Sequence, residues 1–187
     1  MNYHDIKKCD MLNGNGIRVS LWISGCEHNC NRCQNPQTWN VNGGIPFDEE
    51  AERELFESLK KPYISGITLT GGDPLHENNL QDVLNLVNKI RLLFGNSKSI
   101  WLYSGYSWED IWEYNTSGTD LYGKHWRGWT IDRCYRQDIL RQCDVFVDGR
   151  YIDEIRDITL HWRGSSNQRV VDVQQSFKEQ KMILYDI

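Results

Sequence analysis

The sequence predicts an α/β fold with a largely parallel sheet. Short apolar runs that are typical of strands alternate along the chain with segments whose apolar residues recur at helical spacing. Several of the strand-like runs lead directly into glycine-containing turns, as strands followed by helices often do. The chain has 187 residues, a length that fits one compact domain.

The first strand is predicted at residues 17–23, where apolar and polar side chains alternate with a period of two. Residues 1–16 are predicted to be irregular and to end in a turn, since residues 13–16 read Asn-Gly-Asn-Gly. The strand leads into Ser24, Gly25 and a cysteine-rich loop. Because functional sites in α/β folds form at the carboxyl ends of strands, this loop is a candidate site.

The rest of the chain continues the alternation. Asp48 is the predicted N-cap of a helix that runs to about residue 60, with Glu49 and Glu50 favourable near its start. The later elements are predicted, in order, as a strand at 64–70, a helix at about 79–94, a strand at 99–103, a short helix at 107–112, a short helix at 135–142, a strand at 143–147 and an extended run at 169–173. Residues 114–133 are polar, aromatic and glycine-containing, which indicates a long loop or insertion.

The composition argues against several classes of partner. The formal net charge of −5 gives no electrostatic case for nucleic acid. No apolar run approaches the length of a membrane span, and the first residues do not form a charged-then-apolar leader. We therefore expect a soluble, cytoplasmic protein with no nucleic-acid or membrane partner. The eight tryptophans indicate either a rich core or an aromatic contact surface, and the sequence does not decide between them.

Three cysteines, Cys26, Cys30 and Cys33, form a C-x3-C-x2-C pattern directly after the first predicted strand. Thiolates at this density in one loop are typical of metal or cluster ligands. A structural zinc site needs four protein ligands, and His28 inside the loop is a candidate for the fourth. A 4Fe-4S cluster held by three thiolates would instead leave one iron open to a small molecule. The spacing by itself leaves both alternatives open.

The other three cysteines, Cys9, Cys134 and Cys143, are scattered along the chain. In a reducing compartment such residues are usually small buried side chains rather than disulfide partners. We therefore expect all three to be buried.

A second motif follows the strand predicted at 64–70. There Gly71 and Gly72 are followed by Asp73 and Pro74. Glycines let backbone N–H and C=O groups reach a ligand, whereas the alternative interpretation is a tight turn between a strand and a helix. Because this motif and the cysteine loop each follow a strand, we expect both at the same edge of the sheet.

The cysteine pattern resembles the cluster signature of the radical S-adenosylmethionine enzymes, and residues 70–74 look like the methionine-binding motif of that family. A narrower resemblance is to the activating enzymes of anaerobic (class III) ribonucleotide reductase. It rests on the segments 13–18, 24–30, 34–39, 71–75 and 162–168. Residues 114–133 look longer than that family needs, and the tail after about residue 169 extends beyond its usual end. Arg32 also stands where other branches often carry an aromatic residue.

The resemblance implies a fold and a set of cofactors. The fold would be a partial, open (βα) barrel in a single domain over residues 1–187, since a barrel of eight units typically has about 250 residues. Cys26, Cys30 and Cys33 would bind a 4Fe-4S cluster with one open iron. S-adenosylmethionine would bind at that iron, beside residues from the two motifs, namely Arg32, Cys33, Gln34, Gly71, Gly72 and Asp73.

The resemblance also implies a reaction. Reductive cleavage of S-adenosylmethionine would give a 5′-deoxyadenosyl radical that removes hydrogen from a glycine of the large subunit of anaerobic ribonucleoside-triphosphate reductase. An electron donor such as flavodoxin would supply the electron. The cofactor carries this chemistry, so no side-chain acid or base is expected. His28 is expected to be a loop hydrogen-bonder and Asp73 a turn former. The alternatives are an activase of another glycyl-radical enzyme, a zinc-binding interaction module without catalysis, and an electron carrier.

Two further segments each have two interpretations. Residues 162–168 are either a polar loop fixed by one buried tryptophan or a family signature near the site or the partner surface. The segment 114–133 holds Trp126 and Trp129 beside the basic residues Lys124, His125 and Arg127. Aromatic and arginine residues often anchor protein interfaces, so the segment either docks the reductase or folds over the core of this protein.

Overall fold

The computed structural model describes residues 1–112 and 131–186. In those ranges eight strands form one sheet: β1 (Asn2–Asp10), β2 (Arg18–Ile23), β3 (Ile45–Pro46), β4 (Gly66–Gly71), β5 (Ser99–Tyr103), β6 (Val145–Asp148), β7 (Arg169–Asp172) and β8 (Ile183–Leu184). Five α-helices occur in the same ranges: α1 (Glu49–Leu59), α2 (Leu80–Phe94), α3 (Trp108–Trp112), α4 (Ile131–Arg141) and α5 (Val173–Glu179). The predicted α/β class is confirmed.

The sheet is parallel only at its centre. Its strands lie in the order β3-β1-β2-β4-β5-β6-β7-β8, and the pairs β2–β4, β4–β5 and β5–β6 are parallel. β1 and β3 on one side, and β7 and β8 on the other, pair antiparallel. The expectation of a largely parallel sheet is therefore correct for the centre and wrong for the flanks. Within the described residues the end strands β3 and β8 do not pair, so the sheet is open and not a closed barrel.

The prediction of an irregular N-terminal segment is wrong, because residues 2–10 form β1 and pair with β2. The register of this pair shifts twice along its length. As a result the buried residues Tyr3, Ile6 and Asp10 are unevenly spaced. A strand interrupted in this way does not show a period of two in its sequence.

The first helix agrees with the sequence. Asp48 caps α1, and its side chain accepts hydrogen bonds from the backbone N–H groups of Glu50 and Ala51, both at 3.0 Å. The apolar residues at helical spacing in α1 (Ala51, Leu55, Phe56 and Leu59) are buried. Those of α2 (Leu80, Val83, Val87 and Ile90) are also buried, and Leu84 is half-buried. Both helices contribute to one hydrophobic core with the sheet.

The two faces of the central strands belong to two separate cores. Ile100 and Leu102 of β5 pack in the larger core, with the helices. Trp101, which lies between them, belongs to a smaller core, since successive side chains of a strand point to opposite faces. The smaller core contains Trp101, Val145, Val147 and Val170, packed against the half-buried Tyr103, Trp162 and Tyr185.

Two predictions near the C-terminus need correction. The loop predicted at 114–133 ends too late, because α4 begins at Ile131. The hypotheses about its aromatic residues concern positions outside the described ranges. β7 confirms the extended run at 169–173, whereas α5 and β8 were not predicted. α5 is only seven residues long and depends on Asp172, whose side chain accepts from Gln175 N at 2.9 Å.

The scattered cysteines differ in exposure. Cys143 is buried as predicted, and Cys134 is half-buried. Cys9 is exposed, so its predicted burial is wrong. It lies with Lys7 and Lys8 in a run of three exposed residues of β1.

No helix in residues 1–112 or 131–186 combines the length and the apolar composition that crossing a bilayer requires.

The central strands should dominate the stability of the apoprotein. Leu69 of β4 is 0% exposed, whereas Leu92 of α2 is 84% exposed. Leu69→Ala should lower the free energy of unfolding by about 2–5 kcal/mol, because it leaves a cavity in a packed core. Leu92→Ala, the same substitution on the surface, should change it by less than about 0.5 kcal/mol. Denaturant titration followed by circular dichroism measures both, and equal losses would contradict this placement of the core.

Candidate functional site

An open cavity of about 340 Å³ lies at the carboxyl edge of the parallel strands. Each parallel strand contributes the segment that follows it: Cys26, Cys30 and Cys33 after β2, Gly72 after β4, Ser104 after β5, and Gly149 after β6. The cysteine loop (residues 26–33) and the glycine turn (residues 71–73) therefore share one edge, as predicted. This is the place where α/β sheets bind their ligands.

The cysteine loop is held in shape by the protein itself. Gly25 N donates to Thr38 O at 2.7 Å, and Cys26 N donates to Trp39 O at 3.0 Å. Inside the loop, two residues with side chains have left-handed backbone, Asn29 with a φ of 47° and Arg32 with a φ of 51°. Such backbone is uncommon and concentrates at functional sites, where the surrounding structure imposes it.

The three cysteines of the loop are free, half-buried and part of the cavity wall. Burial raises the pKa of the Cys26 thiol to about 12, and the negative charge of Asp73 adds to the effect. A cation that binds there must displace a firmly held proton. Thiolates select soft metals such as zinc and the iron of iron–sulfur clusters, so the donors suit both.

His28 is not available to zinc through its Nε2 atom. That atom lies 2.6 Å from Asp73 Oδ2, which confirms the expectation that His28 is a loop hydrogen-bonder. Across residues 1–112 and 131–186, no three His, Cys, Asp or Glu side chains are placed to hold one metal ion. Three thiolates spread around a cavity suit a cluster, in which each thiolate takes a different iron, better than a single zinc ion.

The glycine turn packs against residues 23–25, which lead into the cysteine loop and form its stem. Gly72 N donates to Ile23 O at 2.8 Å, and Asp73 N donates to Gly25 O at 2.6 Å. A Cβ on Gly72 would collide with the carbonyl oxygen of Gly25 and would lie 2.9 Å from that of Thr38. The position needs glycine because two stretches of backbone approach closely. A side chain at position 72 would therefore clash with the protein's own backbone.

The other residues expected to contact S-adenosylmethionine have different positions. Gln34 is exposed and lines the cavity. Gly71 ends β4 with a left-handed φ of 107°. The Arg32 side chain is 79% exposed, and its Nη1 atom lies 3.3 Å from a carboxylate oxygen of Asp153. Asp73 is 1% exposed and lies behind the cavity wall.

Asp73 is the centre of a buried hydrogen-bond network. Its carboxylate accepts from His28 Nε2 at 2.6 Å, from Ser104 Oγ at 2.8 Å, and from the backbone N–H groups of Leu75 at 2.8 Å and Gly105 at 3.1 Å. Burial by itself would raise the pKa of Asp73, but these hydrogen bonds, that of His28 first, lower it below its usual value. The carboxylate is therefore ionised at neutral pH and acts only as an acceptor. The bond from Leu75 makes Asp73 a turn former, as predicted.

Residues 162–168 form another part of the wall. Trp162, Arg163, Gly164 and Gln168 line the cavity. Trp162 has a φ of 58°, and its ring lies edge-on to Trp101 with 4.9 Å between centroids. The Gln168 side chain accepts from Gly164 N at 2.9 Å and donates to Gly149 O at 2.9 Å. The segment thus lies at the site and is also fixed by its tryptophan, so both interpretations are correct in part.

Three buried polar atoms on residues of the cavity wall have no hydrogen-bond partner in the described residues: Trp22 Nε1, the Tyr103 hydroxyl and Arg163 Nε. Buried polar groups are normally paired, because an unpaired one costs about 1–3 kcal/mol. Their grouping around one cavity fits a polar ligand that supplies the missing partners. The sequence analysis included Arg163 in the segment 162–168 but did not identify Trp22 or Tyr103. Their positions near the carboxyl ends of β2 and β5 could have marked Trp22 and Tyr103 as candidate site residues.

A family model described as a 4Fe-4S single cluster domain matches residues 12–171. The anaerobic ribonucleoside-triphosphate reductase-activating protein of Enterobacteria phage T4 is 39% identical over 170 residues, which cover 91% of this chain and 93% of that protein. Proteins of the same name are 37% identical in Escherichia coli K12 and 36% identical in Vibrio cholerae, and the matches cover 91% and 90% of this chain and 97% and 96% of those proteins. This chain therefore belongs to the family of anaerobic ribonucleoside-triphosphate reductase-activating proteins, and it has a 4Fe-4S single cluster domain.

Proposed function

We propose that this chain activates an anaerobic ribonucleoside-triphosphate reductase by means of a 4Fe-4S cluster and S-adenosylmethionine. The observation that carries the proposal is the meeting of three free cysteines and the glycine turn at one cavity. The activating function is in the name of the relatives, and their match covers about nine-tenths of the chain. The family model that spans the cysteines describes a single iron–sulfur cluster.

A bound and reduced cluster would supply the electron for cleavage of S-adenosylmethionine, and the resulting 5′-deoxyadenosyl radical would take a hydrogen atom from a glycine of the reductase. The residues of the chain bind and orient the reactants. Cys26, Cys30 and Cys33 would hold the cluster through three of its irons, and S-adenosylmethionine would bind at the remaining iron. The backbone oxygens of Gly71 and Gly72 would accept hydrogen bonds from its amino group.

The remaining wall holds the rest of the ligand. Trp22 Nε1, the Tyr103 hydroxyl and Arg163 Nε offer donors without a partner among residues 1–112 and 131–186, and the carboxylate and ribose of S-adenosylmethionine are suitable acceptors. Gln34 adds an amide beside the cysteines. Arg32 points to solvent beside the loop, where it is accessible to a docked protein.

The open sheet suits a macromolecular substrate. In this proposal the sheet is a partial (βα) barrel of the radical S-adenosylmethionine type, and the polar face of its central strands lines the inside. A barrel that does not close leaves a side through which the glycine segment of the reductase large subunit reaches the cavity. An electron donor such as flavodoxin is the second partner.

Anaerobic reconstitution with iron and sulfide tests this function. After reduction, the protein should convert S-adenosylmethionine to 5′-deoxyadenosine and should form a glycyl radical on the anaerobic reductase, visible by electron paramagnetic resonance. A protein that binds zinc and takes up no iron would refute the proposal. Formation of 5′-deoxyadenosine without a radical on this reductase would indicate a different glycyl-radical enzyme as the substrate.

Loss of any cysteine of the loop should abolish a stable cluster. Cys26→Ala, Cys30→Ala and Cys33→Ala each remove one of three protein ligands, so iron and sulfide should fall to background after reconstitution. Cys9→Ala and Cys134→Ala are matched controls outside the cavity and should bind as much iron as the unsubstituted protein. A full complement of iron in the Cys30 variant would remove that residue from the ligand set.

The hydroxyl of Tyr103 predicts opposite effects of its removal on the stability of the apoprotein and on ligand affinity. Tyr103→Phe should leave the free energy of unfolding of the apoprotein unchanged or raise it, because the buried hydroxyl has no hydrogen-bond partner in the part of the chain that the structure describes. Affinity for S-adenosylmethionine should fall about two- to tenfold, since one net hydrogen bond is worth about 0.5–1.5 kcal/mol. Calorimetric titration of the reconstituted protein measures the affinity. Tyr63→Phe, at a residue 52% exposed, should change neither quantity, and a destabilised Tyr103 variant with normal affinity would show a purely structural hydroxyl.

A further inference from the structure

The cysteine loop contacts the glycine turn through its midpoint as well as through its stem. His28 lies between Cys26 and Cys30, and it is only 6% exposed. Its Nε2 atom lies 2.6 Å from Asp73 Oδ2, and because an ionised carboxylate only accepts, Nε2 carries the proton and donates. One contact thus joins the middle of the cysteine loop to the residue that follows Gly72.

The ring of His28 packs closely against Gly105 and Tyr106. A Cβ built on Gly105 would overlap the ring, with only 2.6 Å to Nε2. Tyr106 packs edge-on to the ring at 4.9 Å between centroids. The backbone N–H of Gly105 donates to the same Asp73 oxygen at 3.1 Å. The carbonyl oxygen of His28 accepts from the Arg150 guanidinium, so both the ring and the peptide of His28 are fixed.

We propose that His28 and Asp73 are positioning residues, which set the place of the three thiolates relative to the backbone of Gly72 and thereby the affinity for S-adenosylmethionine. The inference rests on the proposed function, in which one ligand must reach both the open iron and the glycine turn. Asp73 lies behind the wall. His28 lines the cavity, but its Nε2 atom is bonded to Asp73 and is not free for a ligand. In this inference the effect of both residues on the ligand passes through the loop that they hold.

The position of the loop matters because a small displacement of a binding group costs much of its effect. The hydrogen bonds at the stem, from Gly72 N to Ile23 O and from Asp73 N to Gly25 O, hold only the start of the loop. Without the contact from His28, the segment that bears the later cysteines loses its direct link to the glycine turn. All three thiolates remain, so cluster assembly should persist while ligand affinity falls.

A matched pair of substitutions tests the contact. Glutamine at position 28 places its amide N–H near the position of Nε2, whereas asparagine is too short to reach Asp73. His28→Gln and His28→Asn should therefore bind equal amounts of iron and sulfide. Affinity for S-adenosylmethionine should be close to that of the unsubstituted protein in His28→Gln and about tenfold weaker in His28→Asn. The affinity is read from the change that S-adenosylmethionine causes in the paramagnetic resonance spectrum of the reduced cluster, which needs no turnover.

Gly105→Ala gives an independent test, because it keeps every polar group and places a Cβ where the ring of His28 now lies. It should weaken S-adenosylmethionine binding as His28→Asn does, with a normal iron content. Asp138→Asn, a charge change on the exposed surface of α4, is the control and should alter neither reading.

Three results would overturn the inference. The first is normal affinity in both His28→Asn and Gly105→Ala. The second is an equal loss in His28→Gln and His28→Asn, which would make the ring itself a ligand contact. The third is a parallel loss of iron and of apoprotein stability in all variants, which would make the pair a general stabilising contact. If the unsubstituted protein assembled a cluster but bound no S-adenosylmethionine, the proposed function itself would fail.

Discussion

One buried cation, the guanidinium of Arg18, organises the polar face of the central sheet. Arg18 is 0% exposed, and its five N–H groups donate to neutral oxygens of Asn15, Ile67, Thr68 and Ser99. Burial lowers its pKa to about 10, which leaves it charged at neutral pH. Removal of an ion from water costs several kcal/mol unless its hydrogen bonds are replaced. Here every donor is satisfied, and the Trp101 ring lies 5.2 Å from the guanidinium carbon.

The hydrogen bonds of Arg18 lie near the starts of the parallel strands, and they position the site at the carboxyl ends of the same strands. Arg18 begins β2, and its acceptors lie at the starts of β4 and β5, so the guanidinium ties the register of three parallel strands. These strands have six, six and five residues before they lead into the cysteine loop, the glycine turn and Ser104. Because a strand has a nearly fixed rise of about 3.3 Å per residue, fixing its start also fixes its end. The relative height of the segments at the cavity therefore depends on a contact remote from them.

Features that depend on neighbours along the chain were predictable. Strand Ser99–Tyr103 and the cap at Asp48 follow from local patterns, and the cysteine loop follows from its spacing. β1 was not predicted because its shifts of register remove the alternation. The contact between His28 and Asp73 joins residues 45 positions apart, each with an ordinary local role, so no local pattern reveals it. The backbone that fills the space beside Gly72 belongs to Gly25 and Thr38, and only the fold shows this close approach.

Part of the cavity wall depends on residues near the C-terminus, which are synthesised last, and this affects the cysteines of the nascent chain. The ring of Tyr185 packs on Trp101 at 5.3 Å and on Trp162 at 6.0 Å between centroids, so the wall needs residues far from the cysteines. Translation adds about 5–20 residues per second, which separates the synthesis of Cys33 from that of Tyr185 by about 8–30 seconds. During that interval three adjacent thiols lack part of the wall that later surrounds them. Disulfide formation between these thiols then competes with iron delivery. A reducing environment therefore matters most to this protein during its synthesis.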